Sequence, residues 1–153
     1  MRLPSGAEID VYNTHLHAGG AEEGAEIRTK QAKEVVTWAK DNDDCHVTLL
    51  TGDMNAKDSS EAYKAIVAGS FVDSYRFVHP DKAKDPGNTS PIRLEGDVRN
   101  QDPKNRIDFV FAKRPRGLRA KPVESVVCFQ NHNAQYLYPS DHLGVMTTYD
   151  LSL

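Results

Sequence analysis

The chain has 153 residues, a length that fits one domain, 1–153, with a sizeable core. With 39% hydrophobic and 27% charged residues it has the make-up of an ordinary globular protein, which excludes fibrous and disordered classes. The formal net charge of -3 excludes a global attraction to nucleic acid or anionic membranes, and no apolar run approaches the roughly 20 residues that cross a bilayer.

The first residues, Met1 to Gly6, lack the apolar stretch of a secretion signal. Two cysteines, Cys45 and Cys128, make no disulfide framework, and each reads as a small side chain beside a strand. Both features fit a chain that stays inside the cell.

Glu8 to His15 reads as a strand, with Ile9, Val11 and Leu16 interleaved with polar residues. His17 to Gly24, rich in glycine, reads as a flexible loop. Glu26 to Lys40 has the spacing of an amphipathic helix, with Ile27, Ala32, Val35, Val36 and Ala39 on one side and Trp38 at its edge. After the polar break Asp41 to Asp44, His46 to Thr51 is a short apolar strand that Gly52 ends. Strand–helix–strand units are nearly always right-handed with parallel strands. His15 and Asp53 are therefore expected at the same carboxyl end of one sheet, where α/β sheets bind ligands.

Asp58 followed by Glu61 has the pattern of a capping box, which predicts a helix over Ser59 to Ala68 stopped by Gly69. Phe71 to Phe77 is a short apolar piece of either type. His79 to Lys104, with its prolines and charges, reads as a long surface loop of the kind that shapes binding sites; Asn88-Thr89-Ser90 within it has the pattern of a glycosylation acceptor, which is discounted because nothing in the sequence suggests secretion. Ile107 to Ala112 is a strand. Lys113 to Lys121 is a basic turn carrying Arg114, Arg116 and Arg119. Strands over Val123 to Phe129 and Val145 to Leu151 flank a polar loop, Asn131 to Ser140, that carries Tyr136 and Tyr138.

Four motifs hold the chemistry: Asn13-Thr14-His15-Leu16, Gly52-Asp53-Met54-Asn55, Arg106-Ile107-Asp108-Phe109 and Ser140-Asp141-His142. Each sets Asp, His or Asn at or near the end of a strand-like run, where a rigid sheet presents polar groups. Phosphate ester hydrolysis needs an activated water, neutralised equatorial oxygens and a stabilised leaving oxygen. Asp53 is placed to hold or deprotonate the water, and Asn55 to donate to that water or to a phosphate oxygen. Asp108, a carboxylate inside an apolar strand, needs a partner, and His142 is the partner it suits. A carboxylate on one imidazole nitrogen fixes the tautomer and raises the basicity of the ring. Asp141 offers the hard oxygen that Mg²⁺ prefers. His15 supplies a second donor at the phosphate or a general acid for the leaving group.

These motifs resemble the endonuclease/exonuclease/phosphatase superfamily, with its deoxyribonuclease-I-like fold, from about Ile9 to Leu151. The resemblance implies phosphodiester or phosphomonoester cleavage with Mg²⁺, or with Mn²⁺. It implies Asp53 and Asn55 at the nucleophilic water and phosphate, Asp108 orienting His142, Asp141 at the metal and His15 at the phosphate. It also implies an α/β (α+β) fold of mixed sheets flanked by helices. The family domain is a four-layer sandwich of two such sheets, and this chain corresponds to its C-terminal half. The Asn and the metal-binding Glu of the first half have no counterpart here, so hydrolysis by this chain alone is expected to be weak.

Half a sandwich is expected to expose the inner face of its sheet. That face would be covered by the missing N-terminal half or by a second copy in a homodimer. Expected substrates are phosphate esters: nucleic acid, nucleotide, inositol phosphate or sphingolipid. The alternative is an inactive remnant that serves as a binding or assembly module.

Overall fold

A computed structural model of the chain describes residues 1–20, 22–41, 47–95, 101–113 and 120–151. Strand β1 (Ile9–His15) and strand β2 (Val47–Asp53) run parallel, in register from Ile9 opposite Val47 to His15 opposite Asp53, with helix α1 (Glu22–Asp41) between them in sequence. Helix α2 (Glu61–Ala68), strand β3 (Phe71–Asp73) and the short helix α3 (Ser74–Val78) follow. Strand β4 (Asp108–Lys113) inserts antiparallel between β2 and β3, giving a mixed sheet ordered β1-β2-β4-β3. Strands β5 (Ala120–Cys128) and β6 (Gly144–Leu151) pair antiparallel as a separate ribbon. This is the expected α/β architecture of a mixed sheet with flanking helices. None of the described helices is long and apolar enough to cross a membrane.

The period of two along each strand sorts the side chains to two faces. On one face Leu50, Phe109 and Phe111 pack with Ala32, Ala39, Ala62 and Ile66 of α1 and α2. On the other face Ile9, Val47 and Ala112 pack with Ala120 of the ribbon, and Tyr149 and Leu151 lie against them. Thus the ribbon covers one end of the sheet face that was expected to lie bare. Val11, on the same face, remains 52% exposed. His15, Asp53 and Asp108 share the parity of this second face and stand beyond the part that the ribbon covers.

Several boundaries differ from those read in the sequence. Helix α1 starts at Glu22, four residues early, because Gly24 is not a loop residue. It is buried in the first turn, where a Cβ would lie 2.3 Å from the Gly19 carbonyl oxygen. The bare backbone lets residues 17–20 lie across the helix, held by Arg28 Nη1 donating to the His17 and Gly19 carbonyls and by Gln31 Oε1 accepting from His17 N at 2.9 Å. Trp38 is 54% exposed and meets the Tyr12 ring edge-on at 4.9 Å. The cap of α2 is Ser60, whose hydroxyl accepts from Tyr63 N at 3.2 Å. Asp58 does not cap this helix because cations draw it elsewhere, as shown below. Phe71 to Phe77 divides into β3 and the start of α3, with Asp73 capping the latter. Strand β2 runs through Gly52 to Asp53, since it is paired on both sides. Strand β5 begins at Ala120, and the ladder tolerates Pro122 at an irregularity between Pro122 and Glu124.

Cys128 is half-buried and free, whereas Cys45, His46, Arg114, Arg116 and Arg119 lie outside the described residues. Tyr138 is buried with Ile92 and Leu143, while Tyr136 is 54% exposed.

Candidate active site

Pairing of β1 with β2 and of β2 with β4 brings three motif residues to one place. His15 is the register partner of Asp53, and Asp53 is in turn the partner of Asp108. Asp53 Oδ2 lies 3.5 Å from His15 Nε2 and 3.7 Å from His142 Nδ1. His142 Nδ1 lies 3.0 Å from Asp108 Oδ2 and 3.2 Å from its Oδ1. Five residues from four separate stretches of the chain therefore gather here: His15, Asp53 with Asn55, Asp108 and His142.

Asn55 takes a left-handed backbone, φ 45°, which asparagine tolerates. Its amide N–H is fixed by Asp53 Oδ1 at 2.7 Å. Its side-chain Nδ2 donates to the Leu16 carbonyl at 2.9 Å and to His15 Nε2 at 2.9 Å. Both side-chain amide hydrogens are thus engaged within the protein, not with the water or phosphate oxygen to which Asn55 was expected to donate. In this arrangement Asn55 fixes His15 as the tautomer with its proton on Nδ1.

Gly52 explains how β1 and β2 approach at this end. Its φ is 132°, and a Cβ there would lie 1.8 Å from the Thr14 carbonyl oxygen. Only glycine admits that approach.

Two residues that the sequence did not mark as part of the site complete it. Thr89 is fully buried, and its hydroxyl donates to Asp108 Oδ2 at 2.5 Å. Ser90 Oγ lies 3.0 Å from His142 Nε2, the nitrogen that Asp108 leaves free. Backbone bonds lock this segment to the His142 loop: Leu143 N–H donates to the Thr89 carbonyl at 2.8 Å and Ile92 N–H to the Asp141 carbonyl at 2.7 Å. No short-range signal marks them: the proline restricts Ser90, the residue before it, but says nothing of where either hydroxyl points.

Burial pushes the Asp108 carboxyl above its ordinary value, and the negative Asp53 adds to that. Hydrogen bonds from Thr89 and His142, with the charge of the latter, oppose the rise without cancelling it. An imidazolium at His142, or a cation nearby, is what such a pair of carboxylates calls for.

One atom from each of Asp53, Asp108 and His142 falls within 4.8 Å of the others, a grouping able to hold a metal ion. Its donor chemistry fits a hard divalent ion through the two carboxylates, with remaining positions left to water. The imidazole fits less well as a ligand, because its Nδ1 hydrogen is committed to Asp108. Asp141 is exposed and lies outside this group, with Ser140 Oγ donating to its Oδ1 at 3.3 Å.

Known proteins share this fold. The profile of the Endonuclease/Exonuclease/phosphatase family matches residues 4–142. Nocturnin of Drosophila melanogaster is 26% identical over 174 residues, an alignment that covers 96% of this chain and 26% of that protein. An endonuclease/exonuclease/phosphatase family protein from Bacteroides thetaiotaomicron superposes with a TM-score of 0.73 at 23% identity, over 98% of this chain and 52% of the other. D. rerio TDP2 complexed with a single strand DNA product superposes with a TM-score of 0.70 at 17% identity, over 95% of this chain and 58% of the other. The chain thus spans about half the length of those solved structures and about a quarter of the Drosophila protein. From the profile match and the shared architecture, the chain belongs to the Endonuclease/Exonuclease/phosphatase family.

Proposed function

We propose that this chain carries the water-activating and phosphate-holding part of a metal-dependent phosphoesterase. The observation that carries the reading is the Asp53 carboxylate, with His15 at 3.5 Å, His142 at 3.7 Å and Asp108 behind His142 at 3.0 Å. A base, two imidazoles and an orienting carboxylate at the ends of neighbouring strands suit in-line attack on phosphorus.

In this reading Asp53 positions or deprotonates the attacking water. His142, held by Asp108 at Nδ1, presents Nε2 to a phosphoryl oxygen, which shares or displaces the Ser90 hydroxyl. His15, oriented by Asn55, serves the phosphate or the leaving oxygen. The carboxylates of Asp53 and Asp108 are the oxygens close enough together to hold Mg²⁺ or Mn²⁺, whereas Asp141, which the resemblance puts at the metal, stands outside that group. When bound, that ion would neutralise charge on the phosphoryl group. The chain spans about half of the solved structures and about a quarter of the Drosophila protein, and the acidic metal ligand implied by the resemblance has no counterpart here, so low turnover by this chain alone is part of the proposal.

The test is hydrolysis of bis-p-nitrophenyl phosphate with Mg²⁺, in parallel with Mn²⁺ broadening of the His15 and His142 imidazole resonances. Asp53→Ala and His142→Ala are expected to lower turnover about 100-fold or more, and Asp53→Ala to abolish the broadening. Full activity in both variants, or no broadening of either histidine in the unaltered chain, sinks the reading.

A further inference from the structure

Beside the Asp53 cluster lies a cavity of about 180 Å³ whose wall is dominated by cations. Lys57, Arg76, Lys82, Lys104 and Arg106 line it, with Asp58 as the carboxylate among them. Consecutive Cα atoms are about 3.8 Å apart. Lys57 is two residues beyond Asn55, Asn88 of the same wall adjoins Thr89, and Arg106 is two residues before Asp108. Hence each of these walls stands within about 8 Å, by Cα, of a member of the site.

The cations are only partly neutralised. Asp58 Oδ2 is shared by Lys82 at 2.9 Å and Arg106 at 3.1 Å, with Arg76 at 4.0 Å. Arg106 also reaches Asp73 at 2.7 Å, and Lys104 pairs with Asp102. Three carboxylates thus serve four of the five cations, and Lys57 has no carboxylate partner among the described residues. Burial acts to raise the Asp58 carboxyl, yet bonding and charge from Lys82 and Arg106 hold it below its ordinary value, as expected where positive charge dominates.

The arginines carry the second observation. The Arg106 side chain is only 5% exposed, and its Nε and Nη1 have no hydrogen-bond partner among the described residues, nor has Nε of Arg76. The Phe109 ring lies 4.5 Å from the Arg106 guanidinium carbon. A ring covers the face of a guanidinium, whereas the Nε and Nη1 hydrogens lie in its plane and still need acceptors. Leaving buried charged donors unmet is costly. Tetrahedral oxyanions are what guanidinium forks accept best.

Building on the function proposed above, we infer that this cavity is an anion subsite that takes a second phosphate of the substrate. The preferred ester then carries a phosphoryl group beside the one being cleaved. Arg106 and Arg76 hold that group from the buried side, and Lys57 and Lys82 close over it from the solvent side.

Arginine side-chain NMR of the chain, titrated with inorganic phosphate, tests this without turnover. The expected result is a saturable shift of the Arg76 and Arg106 Nε–H resonances. The exposed double variant Lys57→Ala/Lys82→Ala weakens the apparent affinity by about fivefold, the size of two exposed charge contacts. Asp53→Ala leaves this titration unchanged, which separates the subsite from the hydrolytic reading. An absent shift overturns the inference, as does one that chloride reproduces or that the lysine substitutions leave unaltered.

Discussion

Asp53 and Asp108 are direct register partners across β2 and β4, so two carboxylates face each other where like charges repel. Burial and that neighbour make Asp108 bind its proton more tightly in the folded chain than in the unfolded one. Ionising it therefore costs stability, a cost that is absent below the ordinary value of 3.8 and complete once the pH has passed the raised value. Asp108→Asn removes the cost. With EDTA present, the variant is expected to melt at or above the unaltered chain at pH 7, and the difference shrinks as the pH falls toward 4. Turnover drops about 100-fold over the same substitution, since His142 loses its orienting charge. Paired calorimetric melts and kinetics check both.

Thr89 is expected to matter as much as a residue that touches substrate. Thr89→Val keeps the shape but removes the donor to Asp108 and the acceptor for Ile107 N–H at 3.4 Å. The expected loss is about 1–3 kcal/mol of stability, with activity falling too, and Thr89→Ser restores much of both. Denaturant unfolding alongside steady-state rates decides it.

Gly52→Ala places a methyl 1.8 Å from the Thr14 carbonyl oxygen in a backbone conformation that alanine avoids. β1 must shift away from β2 just where His15 meets Asp53. Destabilisation of roughly 2–4 kcal/mol is expected, together with loss of the His15–Asn55 contact, visible as a moved His15 resonance.

High pH should unfold the chain through two phenols. Burial first, and then the negative Asp73, push Tyr149 up to about 12 against hydrogen bonds with Ser74 and Thr147. Tyr63 is raised in the same direction by burial and by its bond to Asp73. A phenol kept neutral in the fold contributes stability in full below its ordinary 10.0 and loses it as the pH climbs toward the raised value. Phenolate absorbance from both rings is expected to rise together with the loss of the circular dichroism signal. In Tyr149→Phe one of those late protons disappears.

The neighbourhood of His15 and Asp53 was legible because spacing and handedness alone bring two strand ends together. Asp108 was legible because a carboxylate in an apolar strand demands a partner. Asp58 misled, since its helix-cap signal is local, whereas its partners Lys82 and Arg106 lie far along the chain. Gly24 misled for the converse reason: a glycine read as loop was a packing requirement of the helix. Thr89 and Ser90 stayed hidden because nothing short-range tells a loop hydroxyl aimed at a buried carboxylate from one facing water.

The fastening of residues 89–92 to the His142 loop sets how the site comes apart. Asp53 and Asp108 are woven into the four-stranded ladder, but His142 enters on a ribbon that shares no strand pairing with that ladder among the described residues. Its grip on the rest includes the paired amide bonds of Leu143 and Ile92. Such a clasp opens at a smaller free energy than the sheet unravels. Amide exchange at Leu143 and Ile92 would then run ahead of exchange at Leu50 and Phe111, and opening that clasp alone would silence the centre while the sheet and the ribbon packed on it stay folded.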